Sequence, residues 1–162
     1  PIRSVLEFGA NIGLNLSALK TLLPTARFSG VEINKRAYER LSQIDGIEAY
    51  HSSIQDMTPA ETVDLSFTKT VLIHINPGTL NEIYDKLYTA SNRYVLVAEY
   101  YNPTPVEISY RGHTSKLFKR DFAGEMMDRH PDLKLIDYGF VYHGDRFSQD
   151  DITWFLMEKE SN

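Results

Sequence analysis

The order of apolar segments along the chain is the feature that most limits how it can fold. Apolar runs of strand length alternate with stretches in which apolar residues recur at helical spacing. This alternation is typical of a largely parallel sheet with helices on both faces. Two further apolar runs, residues 133–142 and 152–158, close the chain with no room for a helix between them. We therefore predict that they pair as an antiparallel hairpin at one end of the sheet.

The remaining elements predict one doubly wound α/β domain. Strands are expected at residues 4–8, 27–33, 47–51, 63–67 and 94–100, and the first helix at residues 13–23. Later helices should begin at Asn34, at Asn76 and Pro77, and near Asp121, since these residue types favour helix starts. The stretch from 102 to 119 contains two prolines followed by aromatic and cationic side chains, and we predict that it is irregular. At 162 residues, the chain fits a single domain, residues 1–162.

Composition excludes several classes of function. The net charge is −5 and no long basic run occurs, which argues against binding nucleic acid over a broad face. With no cysteine, the chain has neither disulfides nor thiol catalysis nor thiolate metal sites, and its five histidines lack a ligand spacing, so no metal is expected. No apolar stretch has the length of a membrane helix and no signal-peptide pattern occurs. We expect a cytoplasmic protein that acts on a small molecule.

The first loop, in the stretch "SVLEFGANIG", indicates the ligand. A nicotinamide-binding turn would read G-x-G-x-x-G, and here Asn11 and Leu14 replace its second and third glycines. The glycines alone leave a dinucleotide and a methyl donor nearly tied. Glu32, at the end of the next strand, can accept both hydroxyls of a ribose. Glu7, before the glycines, favours a cationic group over a pyrophosphate, because it would repel an anion.

With these motifs, the chain resembles the class I S-adenosylmethionine-dependent methyltransferases over nearly its whole length. The similarity rests on "VLEFGANIG", "GVEIN", "HSSIQD", "VDLSFTKTVLIHI" and a terminal pair ending in "TWFLMEK". It implies a Rossmann-like, seven-stranded, mostly parallel sheet, with S-adenosylmethionine as cofactor. Asn11 and Ser53 depart from the family, which often has a glycine and an acid there. The cofactor-binding residues that the resemblance implies are Glu7, Gly9, Ala10 and Gly13 for the methionine part, Glu32 for the ribose, Ile33, Ser53 and Ile54 beside the adenine, and Lys69.

Acceptor-binding groups should follow the fourth and fifth strands, where ligands gather in such sheets. His74 is the best candidate for a base, because its pKa can lie near neutrality. A hydrogen-bonded core or helix-capping histidine is the alternative. Glu99, an acid inside an apolar strand, could bind an acceptor amine or hydroxyl, or could pair with Lys69.

The segment after the fifth strand carries the predicted substrate-binding residues. Tyrosine rings can stack on sugar faces, and arginine can hold a carboxylate or phosphate with two hydrogen bonds. Solvated loop charges are the alternative for part of this set. The predicted residues are Tyr100, Tyr101, Tyr110, Arg111 and His113.

This segment, with "TKTVLIHINP" and "DYGF", is similar to a narrower group, the small methylases encoded in pseudaminic acid biosynthesis clusters. The similarity implies that the acceptor is a nonulosonic acid, its nucleotide-activated form or a sugar precursor. A methyltransferase for another small metabolite, such as a carboxylic acid, and an inactive cofactor-binding scaffold are the alternatives. Nucleic acid methylation is disfavoured, because strand four ends in "SFTKT" and not in the Asn-Pro-Pro-aromatic type. Methyltransferases of this class often have a helical segment before strand one, and we expect such a segment to be missing from residues 1–162.

Overall fold

The computed structural model describes residues 1–110, 113–147 and 149–160, with only the backbone of residues 110 and 113–116. Four α-helices and two 3₁₀ turns accompany nine strands in this described part of the chain. The strands are β1 (Ser4–Phe8), β2 (Arg27–Glu32), β3 (Ile47–His51), β4 (Val63–Lys69), β5 (Ser91–Glu99), β6 (Val106–Tyr110), β7 (His113–Lys119), β8 (Leu133–Val141) and β9 (Ile152–Lys159). The helices are α1 (Leu14–Leu22), α2 (Lys35–Leu41), α3 (Leu80–Ala90) and α4 (Phe122–Arg129), with 3₁₀ turns at Leu72–His74 and Pro77–Thr79.

Seven of the strands form one sheet in the order β3-β2-β1-β4-β5-β9-β8. The sheet is mostly parallel, with an antiparallel C-terminal strand, and the predicted Rossmann-like fold is confirmed. β1 pairs with β2 and β2 with β3 in parallel, so their carboxyl ends lie at the same edge. β8 and β9 pair as the predicted antiparallel hairpin, from Leu133 opposite Lys159 to Val141 opposite Ile152.

The stretch predicted to be irregular is in fact a second small sheet. β6 and β7 form an antiparallel hairpin in which Val106 lies opposite Lys119 and Ile108 opposite Leu117. The prediction failed because it gave weight to the prolines and not to "VEISY", which alternates apolar and polar residues as a half-buried strand does. Among the other strands, the bounds that differ by more than one residue are the end of β4, which runs on to Lys69, and the start of β5, which begins already at Ser91.

The chain divides into two compact units. Unit 1 comprises Pro1–Phe67 and Glu82–Val95, and unit 2 comprises Thr68–Asn81 and Leu96–Asn162. The core of unit 1 is formed by fully buried apolar side chains of β1, α1, α2 and α3: Leu6, Phe8, Leu16, Leu41, Ile83 and Leu87. The core of unit 2 is formed by those of the first 3₁₀ turn, α4, β8 and β9: Leu72, Phe122, Met126, Leu133 and Met157.

Two helices begin at residues that cap them with side-chain hydrogen bonds. In unit 1, Asn34 accepts from the N–H groups of Arg36 and Ala37 at 3.0 and 3.2 Å and starts α2. In unit 2, Asp121 accepts from the Gly124 N–H at 2.9 Å and starts α4. Both starts agree with the prediction from residue type. None of the helices in the described ranges combines the length and hydropathy needed to cross a bilayer.

Candidate functional site

The glycine loop of unit 1 is tied to the end of β2 by its backbone. Gly9, Asn11 and Gly13 all have positive φ, at 76°, 49° and 82°. The Gly9 and Ala10 N–H groups both donate to the Val31 carbonyl at 2.9 Å. The Asn11 N–H donates to Glu32 Oε2 at 2.8 Å. The loop that follows β1 is therefore fixed directly against the carboxyl end of β2.

Glu32, the predicted ribose-binding acid, is held on both of its oxygens. Oε2 accepts from Asn11, and Oε1 accepts from the Asn34 N–H at 2.6 Å. The residue is only 8% exposed. Each carboxylate oxygen has two acceptor positions, so after these bonds each can still accept from one ligand hydroxyl. The arrangement fits the two adjacent hydroxyls of a ribose.

Gly13 permits close packing as well as the turn. A Cβ at this position would lie 2.6 Å from Ile44 Cδ1 and 2.8 Å from Leu41 Cδ1. Gly13 therefore lets the start of α1 approach α2, in addition to adopting its positive φ. Glu7 is fully buried in β1, and its Oε1 accepts from Asn15 Nδ2 at 2.7 Å. The Glu7 carboxyl thus lies in the strand that leads into the loop, with Asn15 beside it.

An exposed apolar side chain follows Glu32 directly in the sequence of unit 1. Ile33 is 68% exposed at the end of β2, whereas Ile54 is buried in the loop after β3. The Ser53 hydroxyl donates to Asp56 Oδ2 at 2.6 Å and accepts from the Asp56 N–H at 3.1 Å. An acid, Asp56, therefore lies beside Ser53, three residues later in "SSIQD". An exposed aliphatic surface beside a buried acid fits a nucleoside, with its base on Ile33 and its ribose on Glu32.

In unit 2, Glu99 holds the turn that follows β4. Its carboxylate accepts from the N–H groups of Val71, Leu72 and Ile73 at 3.0, 3.1 and 3.4 Å. Only 2% of the residue is exposed. Burial raises the pKa of Glu99 to about 7, against the opposing effect of the N–H groups. The structure therefore places this predicted acceptor-binding acid at the base of a 3₁₀ turn.

His74, the predicted base, ends that turn. Its side chain is exposed, and its N–H donates to the Val71 carbonyl at 2.9 Å. Strand β7 packs against the same turn, so the small hairpin lies beside His74 within unit 2. Tyr110 and His113 lie opposite each other in this hairpin, and only their backbone is described. Arg111 lies outside the described residues.

A polar cavity of about 460 Å³ opens in unit 2. Lys69, predicted to bind the cofactor, lines it and donates to Gln149 Oε1 at 2.6 Å. The Tyr100 hydroxyl donates at 2.6 Å to Asp150 Oδ2, which belongs to the same lining. The full lining among the described residues is Lys69, Thr70, His143, Gln149, Asp150 and Ile152. The last four lie in or just after the loop between β8 and β9, which the sequence interpretation treated only as a connection.

Tyr101 lies apart from this cavity lining. It is 41% exposed, and its ring centroid lies 5.7 Å from that of Phe155 on β9. Phe155 also stacks on Tyr138 of β8, at 6.3 Å. Tyr101 is thus part of an aromatic cluster on the terminal hairpin, in contrast to Tyr100.

A smaller cavity, of about 280 Å³, lies at the other end of the strands in unit 1. Ser4 and Arg27, at the amino ends of β1 and β2, line it together with Glu48 and Tyr50 of β3. Burial, with Glu48 as hydrogen-bond partner, raises the pKa of the Tyr50 phenol to about 12. The glycine loop lies at the opposite, carboxyl end of β1, so this cavity is separate from the glycine loop and Glu32.

Comparison with known proteins identifies the fold. No protein-family model matches the chain. None of the curated proteins matches it either. Solved structures do match. Magnesium protoporphyrin IX methyltransferase (ChlM) from Synechocystis PCC 6803 with bound SAM has a TM-score of 0.73 at 13% identity, and the match covers 99% of this chain and 71% of that one. The chain has the fold of the class I methyltransferases.

Two further solved structures that match contain bound ligands. N-methyltransferase NodS from Bradyrhizobium japonicum WM9, in complex with S-adenosyl-L-homocysteine, has a TM-score of 0.73 at 14% identity, covering 99% of this chain and 79% of that one. The 1,6-didemethyltoxoflavin-N1-methyltransferase of Burkholderia thailandensis, with its substrate and S-adenosylhomocysteine bound, has a TM-score of 0.75 at 11% identity, covering 98% and 71%. At these identities, the likeness shows the methyltransferase fold.

Proposed function

We propose that this chain transfers a methyl group from S-adenosylmethionine to a small polar acceptor, most specifically a nonulosonic acid or a nucleotide-linked sugar. The observation that carries the first part is Glu32, a buried acid at the end of β2 fixed against a glycine loop. It occurs in a chain with the fold of proteins that were crystallised with SAM or S-adenosylhomocysteine.

In this proposal, unit 1 binds the methyl donor. Glu32 accepts the ribose hydroxyls and Ile33, with Ser53 and Ile54, borders the adenine. Gly9, Ala10 and Gly13 bring the backbone close to the methionine part. The buried carboxyl of Glu7 favours a sulfonium cation over a phosphate, which it would repel when ionised. When bound, S-adenosylmethionine supplies a methyl group whose bond to sulfur breaks, with the electron pair staying on sulfur.

Unit 2 binds the acceptor in this proposal. Lys69 and Tyr100 are joined to the loop between β8 and β9 by hydrogen bonds. Lys69, predicted from the sequence to bind the cofactor, is assigned here to the acceptor, since it lines this cavity and supplies a positive charge for an acidic sugar. Tyr101, Tyr110, Arg111 and His113 stay predicted substrate-binding residues. The toxoflavin enzyme among the structural neighbours was crystallised with 1,6-didemethyltoxoflavin bound. That ligand belongs to the neighbour, and we propose the sugar acid from the resemblance in sequence.

Glu99 takes part, we propose, as a positioning residue. Its carboxylate fixes three consecutive N–H groups of the segment that ends at His74. Because the acid is buried, an acceptor would meet the turn and not the carboxylate. His74, exposed at the end of the turn, stays a predicted base.

The test is a labelling experiment with the whole chain. Methyl-labelled S-adenosylmethionine is incubated with nonulosonic acids, nucleotide sugars, small carboxylic acids and peptides, with Glu32→Ala as the background control. Label in the sugar acids supports the proposal. Label only in another class would discard the sugar acceptor and retain the methyltransferase. Binding of S-adenosylhomocysteine without label in any class would favour the inactive scaffold.

A further inference from the structure

The loop between β8 and β9 joins a histidine to a carboxylate. Val141 opposite Ile152 is the last pair of this hairpin, so the residues just beyond it are brought close. Asp151 Oδ1 accepts from the backbone N–H of His143 at 2.9 Å and lies 2.8 Å from its ring Nδ1. Asp151 Oδ2 lies 2.9 Å from the same Nδ1. One carboxylate therefore fixes both the backbone and the imidazole of His143.

These contacts define which ring nitrogen is basic. An ionised carboxylate only accepts, so its partner Nδ1 carries the hydrogen. In the neutral imidazole, the lone pair is then on Nε2. The Tyr142 ring lies 4.5 Å from the imidazole, centroid to centroid, and limits its rotation further. The ring is oriented in the manner that a histidine base requires, with its second nitrogen held by an acid.

His143 also has access to a ligand. It lines the polar cavity of unit 2, and the side chains of His143 and Asp151 are 63% and 49% exposed. The charged groups around the pair are Lys69 and Asp150 in the cavity lining and Lys119, which acts electrostatically on Asp151. The N–H and imidazole of His143, more than Lys119, hold the pKa of Asp151 below its ordinary value, so the acid is ionised at neutral pH.

We propose that His143 is the general base of the acceptor site, positioned by Asp151. This inference rests on the proposed methyl transfer, since it assigns the group that takes the acceptor's proton. As the acceptor heteroatom uses an electron pair to bond the methyl carbon, its hydrogen passes to His143 Nε2. The proton makes the imidazole cationic, Asp151 stabilises that charge, and the imidazolium then releases the proton to water. The heteroatom ends methylated and neutral.

Two other roles are open to these residues and are separated by experiment. The pair could serve only to close the hairpin, in which case its loss would change stability and not the rate. His74 could be the base, in which case His143 would be dispensable and His74→Gln would lose the activity. A base contributes about 10²- to 10⁴-fold to the rate, which sets the size of effect to look for.

The variants are His143→Gln and Asp151→Asn, with Asp145→Asn in the same loop as the matched control for the charge change. Three measurements are made on the full chain. They are calorimetric binding of S-adenosylhomocysteine, single-turnover methyl transfer from pH 5 to 9 to whichever compound of the labelling panel the wild type methylates, and the NMR signal of His143 Nε2 on addition of each panel compound. The NMR measurement needs no methyl donor.

We expect His143→Gln to lower the single-turnover rate at least about 100-fold at neutral pH and to change the pH profile of the rate, because the general base is lost. Asp151→Asn should lower the rate about 10- to 100-fold and change the same profile, because the imidazolium that forms loses its anionic partner. Asp145→Asn should match the wild type, and all variants should bind S-adenosylhomocysteine as the wild type does. The panel compound that the wild type methylates should, when added without a methyl donor, shift the NMR signal of His143 Nε2.

A loss of less than about fivefold in His143→Gln, or an unchanged pH profile, would overturn the proposal. So would a wild type that binds S-adenosylhomocysteine while no panel compound is methylated or shifts the Nε2 signal. Failure of the wild type to bind S-adenosylhomocysteine would instead overturn the proposed function, and the NMR result would then decide separately whether the cavity binds a ligand at His143.

Discussion

Glu32 in unit 1 and His143 in unit 2 are each held by hydrogen bonds, but by different parts of the chain. Both oxygens of buried Glu32 accept backbone N–H groups, those of Asn11 and Asn34. The imidazole of His143 is held by another exposed side chain, Asp151. A buried acceptor that satisfies the backbone supports folding, whereas an exposed pair adds little to stability. Substitutions in the glycine loop region should therefore affect folding and binding together, and those in the polar cavity should affect acceptor binding and the methyl-transfer rate with little change in stability.

The largest effect is expected for Glu32→Ala. The variant would lose the two charge-assisted hydrogen bonds that we propose to the ribose, and the affinity for S-adenosylmethionine should fall by on the order of 10³-fold. Equilibrium dialysis with labelled S-adenosylmethionine measures this directly. Glu39→Ala, on the exposed side of α2, is the control and should bind as the wild type does. A fall of less than about tenfold in Glu32→Ala, with its circular dichroism unchanged, would show that Glu32 does not contact the ribose.

The next largest effect is the pH dependence that Glu99 gives to stability. Its pKa is raised from 4.5 to about 7 by burial, so the folded state binds this proton more tightly than the unfolded state does. The contribution is complete below pH 4.5 and is lost as the pH rises through 7, a change of at most about 3 kcal/mol.

Urea unfolding at a series of pH values from 5 to 8 tests this. Unfolding free energy should fall with rising pH in the wild type and should be flatter in Glu99→Gln. The exposed Glu107→Gln is the matched control and should keep the wild-type slope. Equal slopes in the wild type and Glu99→Gln would contradict the account of a buried, raised-pKa carboxyl.

Gly13→Ala should destabilise the chain by about 2 kcal/mol. Alanine is strained at positive φ, and its Cβ would lie within 3 Å of two side-chain methyl groups, on Ile44 and Leu41. Gly78→Ala is the comparison, because a Cβ there would meet only Asn76 Oδ1, at 3.4 Å. Urea unfolding should separate the two variants clearly, and equal free energies would show that the turn at Gly13 relaxes without cost.

The smallest effects are expected at the two helix caps, one in each unit. Asn34→Ala and Asp121→Ala should each cost about 1 kcal/mol of unfolding free energy. Because Asn34 adjoins Glu32, its replacement should also weaken S-adenosylmethionine binding, whereas Asp121→Ala should not. Thermal unfolding measures the stability of each variant, and equilibrium dialysis measures its affinity for S-adenosylmethionine. Equal loss of affinity in both variants would contradict the proposal that unit 1 binds the methyl donor.

Much of the fold could be predicted from local pattern. Strand β3 was predicted with its observed bounds, since Asp45-Gly46 indicates a turn and a short apolar run follows. β8 and β9 were predicted because the gap between them excludes a helix. The hairpin of β6 and β7 was not predicted, although apolar and polar residues alternate in β6. The prolines before it led to the prediction that the whole segment is irregular.

The two halves of the candidate site differ in how far the sequence alone could predict them. The residues proposed to bind the nucleoside follow consecutive strands, and the carboxyl ends of parallel strands meet at one edge of the sheet, so the sequence alone could predict that they lie together. The cavity of unit 2 joins Lys69 to Gln149, eighty positions apart. His143 and Asp151 meet only because the hairpin register places Val141 opposite Ile152. No local spacing indicates such a contact, so it could be found only from the folded chain.

The most direct test of the central claim is calorimetric titration of the whole chain with S-adenosylhomocysteine and, separately, with NADH. The account predicts binding of one S-adenosylhomocysteine per chain, abolished in Glu32→Ala, and no binding of NADH. Binding of NADH without S-adenosylhomocysteine would contradict it, because the glycine loop and Glu32 would then serve a dinucleotide and not a methyl donor.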